Sequence, residues 1–141
     1  MPKPILYLDI VGTLLVERGS RLQLAAYAKT FVHEAREHFE LRFLTSLEEH
    51  NALAVARAVD TDIAYISFPR AIGKASAIDF KRIFWWVDDD PTPNDLLRLS
   101  DERCSDRLLM VNRRDGVTEA TLRKLLDSWK RAGETERAAD A

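Results

Sequence analysis

The chain has 141 residues, 46% of them apolar and 31% charged, which suits one domain with a real core and is too little for two. Its 21 basic and 23 acidic residues are spread along the chain for a net charge of −2, so no basic stripe calls for nucleic acid or a membrane surface. The lone Cys104 excludes an internal disulfide, and neither a signal-like leader nor a membrane-length apolar run is present, so a cytoplasmic location is expected.

In chain order, Ile5-Leu6-Tyr7-Leu8 is a continuous apolar run ended by Asp9 and then Gly12, the pattern of a strand buried in the middle of a parallel sheet. Leu14-Leu15-Val16 and Leu22-Gln23-Leu24 flank Arg18-Gly19-Ser20 and predict a small hairpin. From Leu24 onward Ala28, Phe31, Val32, Ala35 and Phe39 recur at helical spacing, which predicts one long amphipathic helix. Residues 41–44 predict a second strand. Ser46 with Glu49 three positions on has the form of a capping box, and Ala52, Val55, Ala56 and Val59 give the helix it opens a buried face. Residues 63–66 predict a third strand and residues 75–80 a short helix. Residues 83–87, with Trp85 and Trp86 on opposite faces, form the clearest strand of the chain. Thr92 and Pro93 open the next helix as N-cap and first-turn residue, and Asp95 is favoured there by the helix dipole. Residues 108–111 predict the last strand. Leu122, Leu125, Leu126 and Trp129 form the apolar stripe of a closing helix capped by Thr118. Beyond Gly133, the polar, Ala-rich residues 134–141 are expected to be a frayed, disordered tail.

Strands alternating with helices predict a single Rossmann-like three-layer α/β domain over residues 1–133, with a parallel sheet of about five strands and helices on both faces. Residues 5–8 are expected at its centre, with 41–44 and 83–87 on either side. Ligands of such sheets sit at the carboxyl ends of the strands, near a topological switch point. The polar residues just after strands, Asp9, Thr45, Asp88 and Asp89, are therefore the ones to weigh. Asp9 can attack phosphorus or bind a hard cation. Gly12 and Thr13 let the backbone turn sharply and offer amides to an anion. Thr45 can donate its hydroxyl to a phosphate oxygen, and Lys74 can neutralise both nucleophile and phosphoryl group. Asp88 and Asp89 can complete a magnesium shell. Each has a plainer use on its own: a carboxylate after a strand is more often a loop or cap residue, and a lone lysine is usually solvated. The order and spacing of the set change those odds.

With these residues in order, the chain resembles the haloacid dehalogenase (HAD) superfamily over nearly its whole length. That family's first motif, a strand followed by Asp-x-Asp-Gly-Thr, appears as Asp9-Ile10-Val11-Gly12-Thr13. Its second, a strand ending in Thr or Ser, appears as Leu44-Thr45-Ser46. Its third, a lysine at the start of a helix, appears as Gly73-Lys74-Ala75. Its fourth, a strand ending in paired acids, appears as Val87-Asp88-Asp89-Asp90. The first and fourth are quite specific, and the other two are weak without them.

The resemblance implies a magnesium-dependent phosphohydrolase or phosphotransferase working through an aspartyl-phosphate on Asp9, with Thr45 and Lys74 as its catalytic partners. It assigns phosphate binding to Gly12, Thr13, Thr45, Ser46 and Lys74. It assigns Mg2+ to Asp9, the backbone carbonyl of Val11, and Asp89, with Asp88 acting through water or from behind, and Asp90 as the alternative if the register slips. The short stretches between motifs leave no room for a cap domain. The chain is similar to small bacterial capless members that share a late Gly-x-Thr, here Gly116-Val117-Thr118. In such members the open site often faces large substrates such as phosphoproteins or nucleic-acid ends, so a phosphorylated substrate is the expected partner.

One position departs from the pattern. Val11 stands where the family places the Asp that protonates the leaving group and activates water. General acid–base help supplies about 10²–10⁴-fold in rate, or roughly 3–5 kcal/mol of barrier. The reading therefore orders three functions: a slow phosphatase-type HAD-like hydrolase; a catalytically quiet module that binds magnesium and a phosphorylated ligand or protein; and, last, a carbon–halogen or carbon–phosphorus hydrolase.

Overall fold

Side-chain alternation in the central strand sets the layers. In the computed structural model, which describes residues 2–140 and only the backbone of 137–140, β1 (Ile5–Leu8) is buried at every position. Leu6 and Leu8 face one apolar cluster, and Ile5 and Tyr7 face another. β4 (Glu40–Leu44) pairs with one side of β1 and β6 (Phe84–Asp88) with the other, both parallel, so residues 5–8 sit at the centre as expected. β5 (Ala64–Ile66) and β7 (Leu108–Met110) complete the sheet in the order β5-β4-β1-β6-β7. The chain builds outward from β1 through β4 to β5, then returns to the opposite side with β6. The switch of direction therefore lies beside β1, where ligands of parallel sheets collect.

The first face is covered by α1 (Ala28–Ala35), α2 (Glu49–Ala58) and α4 (Glu119–Asp140), whose Phe31, Val32, Ala52, Val55, Leu122 and Leu125 join the cluster of Leu6, Leu8 and Trp85. The second face packs Leu99 of α3 (Pro93–Asp101) and Ile78 on Ile5, Tyr7, Phe84 and Trp86. Trp85 and Trp86 thus do serve opposite layers, and both are fully buried. Truncating a buried aromatic such as Phe31 or Phe43 to alanine costs about 3–5 kcal/mol through lost burial and the cavity left behind.

The predicted hairpin forms as β2 (Leu15–Arg18) and β3 (Arg21–Leu24), a separate antiparallel pair. It shortens the helix that follows. Leu24 is held in the ladder opposite Leu15, so α1 starts only at Ala28, and irregular turns from 36 to 39 carry Phe39 into the core. α2 also begins later than the sequence suggests. The Thr45 hydroxyl accepts the Leu47 N–H at 3.2 Å, a local turn that competes with helix. Glu48 becomes the N-cap with no side-chain bond, so the Ser46–Glu49 capping box does not form. The short helix expected over 75–80 is a 3-10 turn, Lys74–Ala77. Thr92 and Asp95 form a full capping box at α3, and Thr118 accepts the Thr121 N–H at the start of α4. Residues 134–140, expected as a disordered tail, continue α4: alanine, glutamate and arginine are strong helix formers, and no proline interrupts them. Ala141 lies outside the described residues. No helix among those described is long and apolar enough to cross a membrane.

Candidate active site at the carboxyl edge of the sheet

The site grows from strand register. Leu8 is level with Val87 across one ladder and with Phe43 across the other, so the next residues up are Asp9, Asp88 and Leu44, with Thr45 one step further. Asp9 and Asp88 are 5% and 1% exposed. Lys74 reaches both from the neighbouring 3-10 turn, its Nζ 2.8 Å from Asp9 Oδ1 and 2.7 Å from Asp88 Oδ2. Carboxylate oxygens of Asp9, Asp88 and Asp89 lie within 4.8 Å of one another.

The two paired acids differ in what is left free. Asp88 is fully engaged: Oδ2 takes Lys74 Nζ and, at 3.2 Å, the Trp86 indole N–H, while Oδ1 takes the Asp90 amide at 3.0 Å. Asp89 lies beside Asp9, and its one ion pair among the described residues is with the exposed Arg113 guanidinium, 3.5 Å away. Asp90 turns outward to the same arginine and contributes its backbone alone to the cluster.

Charge counting explains the titration of the group. Two buried carboxylates face one ammonium, so one negative charge is in excess. Burial first, and then the charge of Asp88, raise Asp9 from 3.8 to about 8, with Lys74 opposing them. Asp88 is raised as well, chiefly by burial. Burial disfavours the charged form of Lys74, but Asp9 and Asp88 together outweigh it and hold its pKa above the ordinary lysine value. The retained proton belongs to the carboxylate pair rather than to either member.

The loop after β1 is tightly wound. Thr13, Leu14 and Leu15 all turn their amides back to the Ile10 carbonyl, and the Gly12 N–H donates to the Leu15 carbonyl, so the Val11 carbonyl takes none of these four. Gly12 has φ +85°, and a Cβ there would strike the Asp89 carboxylate. Only glycine allows this loop and Asp89 to approach so closely. Thr13 is buried, with its hydroxyl 3.4 Å from Asp9 Oδ2, and its carbonyl accepts the Val117 N–H, which ties the Gly-x-Thr stretch to the loop. Val11 is 37% exposed. Thr45 is buried at the end of β4, its hydroxyl receiving the Leu47 amide. Ser46 is exposed, and its carbonyl rather than its hydroxyl is engaged, by Arg70.

Thus Asp9, Lys74, Asp88 and Asp89 are brought into one cluster, Gly12 and Thr13 border it, Thr45 stands on the β4 side, and Ser46 faces outward. Sequence reasoning missed two contributors. Trp86, taken there only as a strand residue facing one layer, also donates to Asp88. Asp95, read as a helix-dipole residue, also accepts the Ala75 amide next to Lys74. The Trp86 donor had no local signal, whereas Asp95 stood in a visible capping position.

The fold and site define a three-layer parallel α/β protein with an acid–lysine cluster at the carboxyl edge of its central strands. No protein-family model matches the chain, and no curated protein is significantly similar to it. A solved structure with some likeness is that of a protein from Streptomyces avermitilis MA-4680 named as a HAD family hydrolase. Its TM-score is 0.49 at 16% identity, covering 87% of this chain and 82% of that one. So distant a likeness transfers no residue roles.

Proposed function

We propose that this chain is a magnesium-dependent phosphohydrolase or phosphotransferase of HAD type, with Asp9 as nucleophile. The observation that carries the reading is the joint placement of Asp9, Lys74, Asp88 and Asp89 in one cluster at the switch point of the sheet.

The donor set fits a hard divalent cation. Its carboxylate oxygens are close together and hold more negative charge than Lys74 balances, and the Val11 carbonyl takes no loop amide. Asp9, Asp89 and the Val11 carbonyl would hold the ion, with Asp88 behind them, since every oxygen of Asp88 is already hydrogen-bonded. Bound there, magnesium supplies charge neutralisation for the phosphoryl group.

In the proposed reaction an Asp9 carboxylate oxygen attacks phosphorus, a bond forms between them, and the bond to the leaving oxygen breaks with its electron pair. Lys74, held against Asp9, offsets the charge of nucleophile and phosphoryl oxygens. The Thr45 hydroxyl binds those oxygens, with Ser46 at the outer margin; the Gly12 and Thr13 amides, expected to share this role, are spent instead on the Leu15 and Ile10 carbonyls. Water then attacks the aspartyl-phosphate, releasing phosphate and restoring Asp9. Val11 provides no proton for the leaving group and no base for the water, so both halves run slowly and good leaving groups are favoured. Only a hairpin and α1 separate β1 from β4, and Val11 is exposed. These features favour a phosphoryl group carried on a larger molecule.

Val11 also favours a second reading, a quiet module that binds magnesium and a phosphorylated ligand without turnover. A screen of phosphate esters with magnesium, run beside Asp9→Asn, separates the two. Turnover lost in Asp9→Asn supports the enzyme, and binding without turnover supports the module.

A further inference from the structure

Lys74 must hold an ammonium between two buried carboxylates, yet it sits at the start of a four-residue 3-10 turn that has no cap of its own. The first amides of such a turn lack internal partners. Asp95 supplies what is missing from a different element. Its carboxyl group is 1% exposed; Oδ1 accepts the Ala75 N–H at 2.9 Å and Oδ2 accepts the Thr92 N–H at 3.0 Å. One side chain therefore caps α3 and grips the residue next to Lys74. Gly73 shows the same close approach independently. It has φ +101°, and a Cβ there would lie 2.6 Å from Asp95 Oδ1 and 3.4 Å from the Thr92 hydroxyl.

We propose that Asp95 is the positioning residue for Lys74: it fixes the root of the lysine so that its ammonium stays between Asp9 and Asp88. A lysine stem is flexible and loses considerable rotamer freedom when held in one place. Anchoring its backbone lowers that cost and transmits the position of α3 to the centre of the site. The importance of this role for phosphoryl chemistry rests on the function proposed above, but the positioning itself does not.

The test uses the full chain without metal or phosphate. The Lys74 amine is labelled with N-hydroxysuccinimidyl acetate and followed by mass spectrometry in the unmodified protein, Asp95→Ala and Thr92→Ala. Thr92→Ala removes the other half of the capping box and leaves the Ala75 contact intact. Lys74 labelling should rise about tenfold in Asp95→Ala, as expected for loss of a hydrogen bond to a charged group, and stay unchanged in Thr92→Ala. Equal labelling in both variants, whether raised or not, would overturn the proposal, because Asp95 would then be a helix cap only. If Asp95→Ala does not fold, amide exchange in the unmodified protein decides. Ala75 protected together with the first turn of α3 supports the strut, and Ala75 exchanging like an open loop overturns it. Orthovanadate affinity with magnesium gives a second arm: Asp95→Ala should weaken it, and should have no further effect once Lys74→Ala is present. Independent effects of the two substitutions would overturn the proposal. Should the unmodified protein bind no orthovanadate, the phosphoryl reading fails while the labelling result still stands or falls by itself.

Discussion

Around Asp9 stand the half-buried Lys74 and the buried Asp88 and Trp86, bonded to one another at nearly every polar atom. By contrast Val11, in the loop after β1, is exposed and without a titratable group, and Ser46 after β4 is exposed as well. The first half manages charge and the second would manage protons. On the reading proposed above, the residues that handle charge are in place while the proton-transfer group is absent. Electrostatic stabilisation is commonly the largest catalytic term, so what remains is compatible with slow chemistry.

The largest effect expected from breaking this asymmetry is on stability. Lys74→Ala leaves two buried carboxylates without a cation and should cost on the order of 3 kcal/mol in urea unfolding at pH 8 or above. The loss should shrink near pH 5, well below the raised Asp9 value, where the pair retains a proton. An equal loss at both pH values would mean that Lys74 acts by packing and not by charge.

The same half governs the response to pH. Asp9 is raised to about 8, so the folded protein binds more protons than the unfolded chain between the ordinary carboxylate range and that value. In the metal-free protein its contribution to stability is therefore fully present below pH 3.8 and is lost as pH rises through about 8. Magnesium bound as proposed would have to displace the proton, so its affinity should climb with pH, by up to about tenfold per unit for one proton released. Calorimetric titrations at pH 6, 7 and 8 would show it, and a flat profile would place the ion elsewhere.

The other half is probed by restoring what it lacks. Val11→Asp should raise hydrolysis by up to about 10²-fold, more for a poor alkyl leaving group than for an activated aryl phosphate, provided the variant still folds and binds magnesium. No gain with either substrate would favour the binding-module reading. The smallest effect concerns the frame: Thr92→Ala should cost about 1 kcal/mol of stability through its lost helix cap. It should leave magnesium affinity unchanged.

Much of this was legible in the sequence, for identifiable reasons. Continuous apolar runs ending in acids fixed the central strands, because a strand buried on both faces must be apolar until it reaches the open edge of the sheet. That Asp9 and the acids after the Trp-rich strand would stand side by side followed from the motifs, since both motif-bearing strands must deliver residues to one site. The capping role of Thr92 was legible because both partners lie within four residues. The Ser46 box looked equally good but lost to the Thr45–Leu47 turn, a contest of local hydrogen bonds that pattern alone does not decide. The shortening of α1 depends on Leu24 being claimed by the hairpin. The bond from Ala75 to Asp95 joins residues 20 apart in sequence and exists only once α3 packs on the lysine turn.

The central claim is that Asp9 is a nucleophile whose second step is impaired by Val11. It is tested most directly by mixing the protein with magnesium and excess aryl phosphate, quenching in acid, and mapping the phosphoryl group by mass spectrometry. The account predicts a burst of aryl alcohol approaching one equivalent, a phosphoryl adduct on the peptide carrying Asp9, and neither in Asp9→Asn. Linear release without an adduct, undiminished in Asp9→Asn, would contradict it.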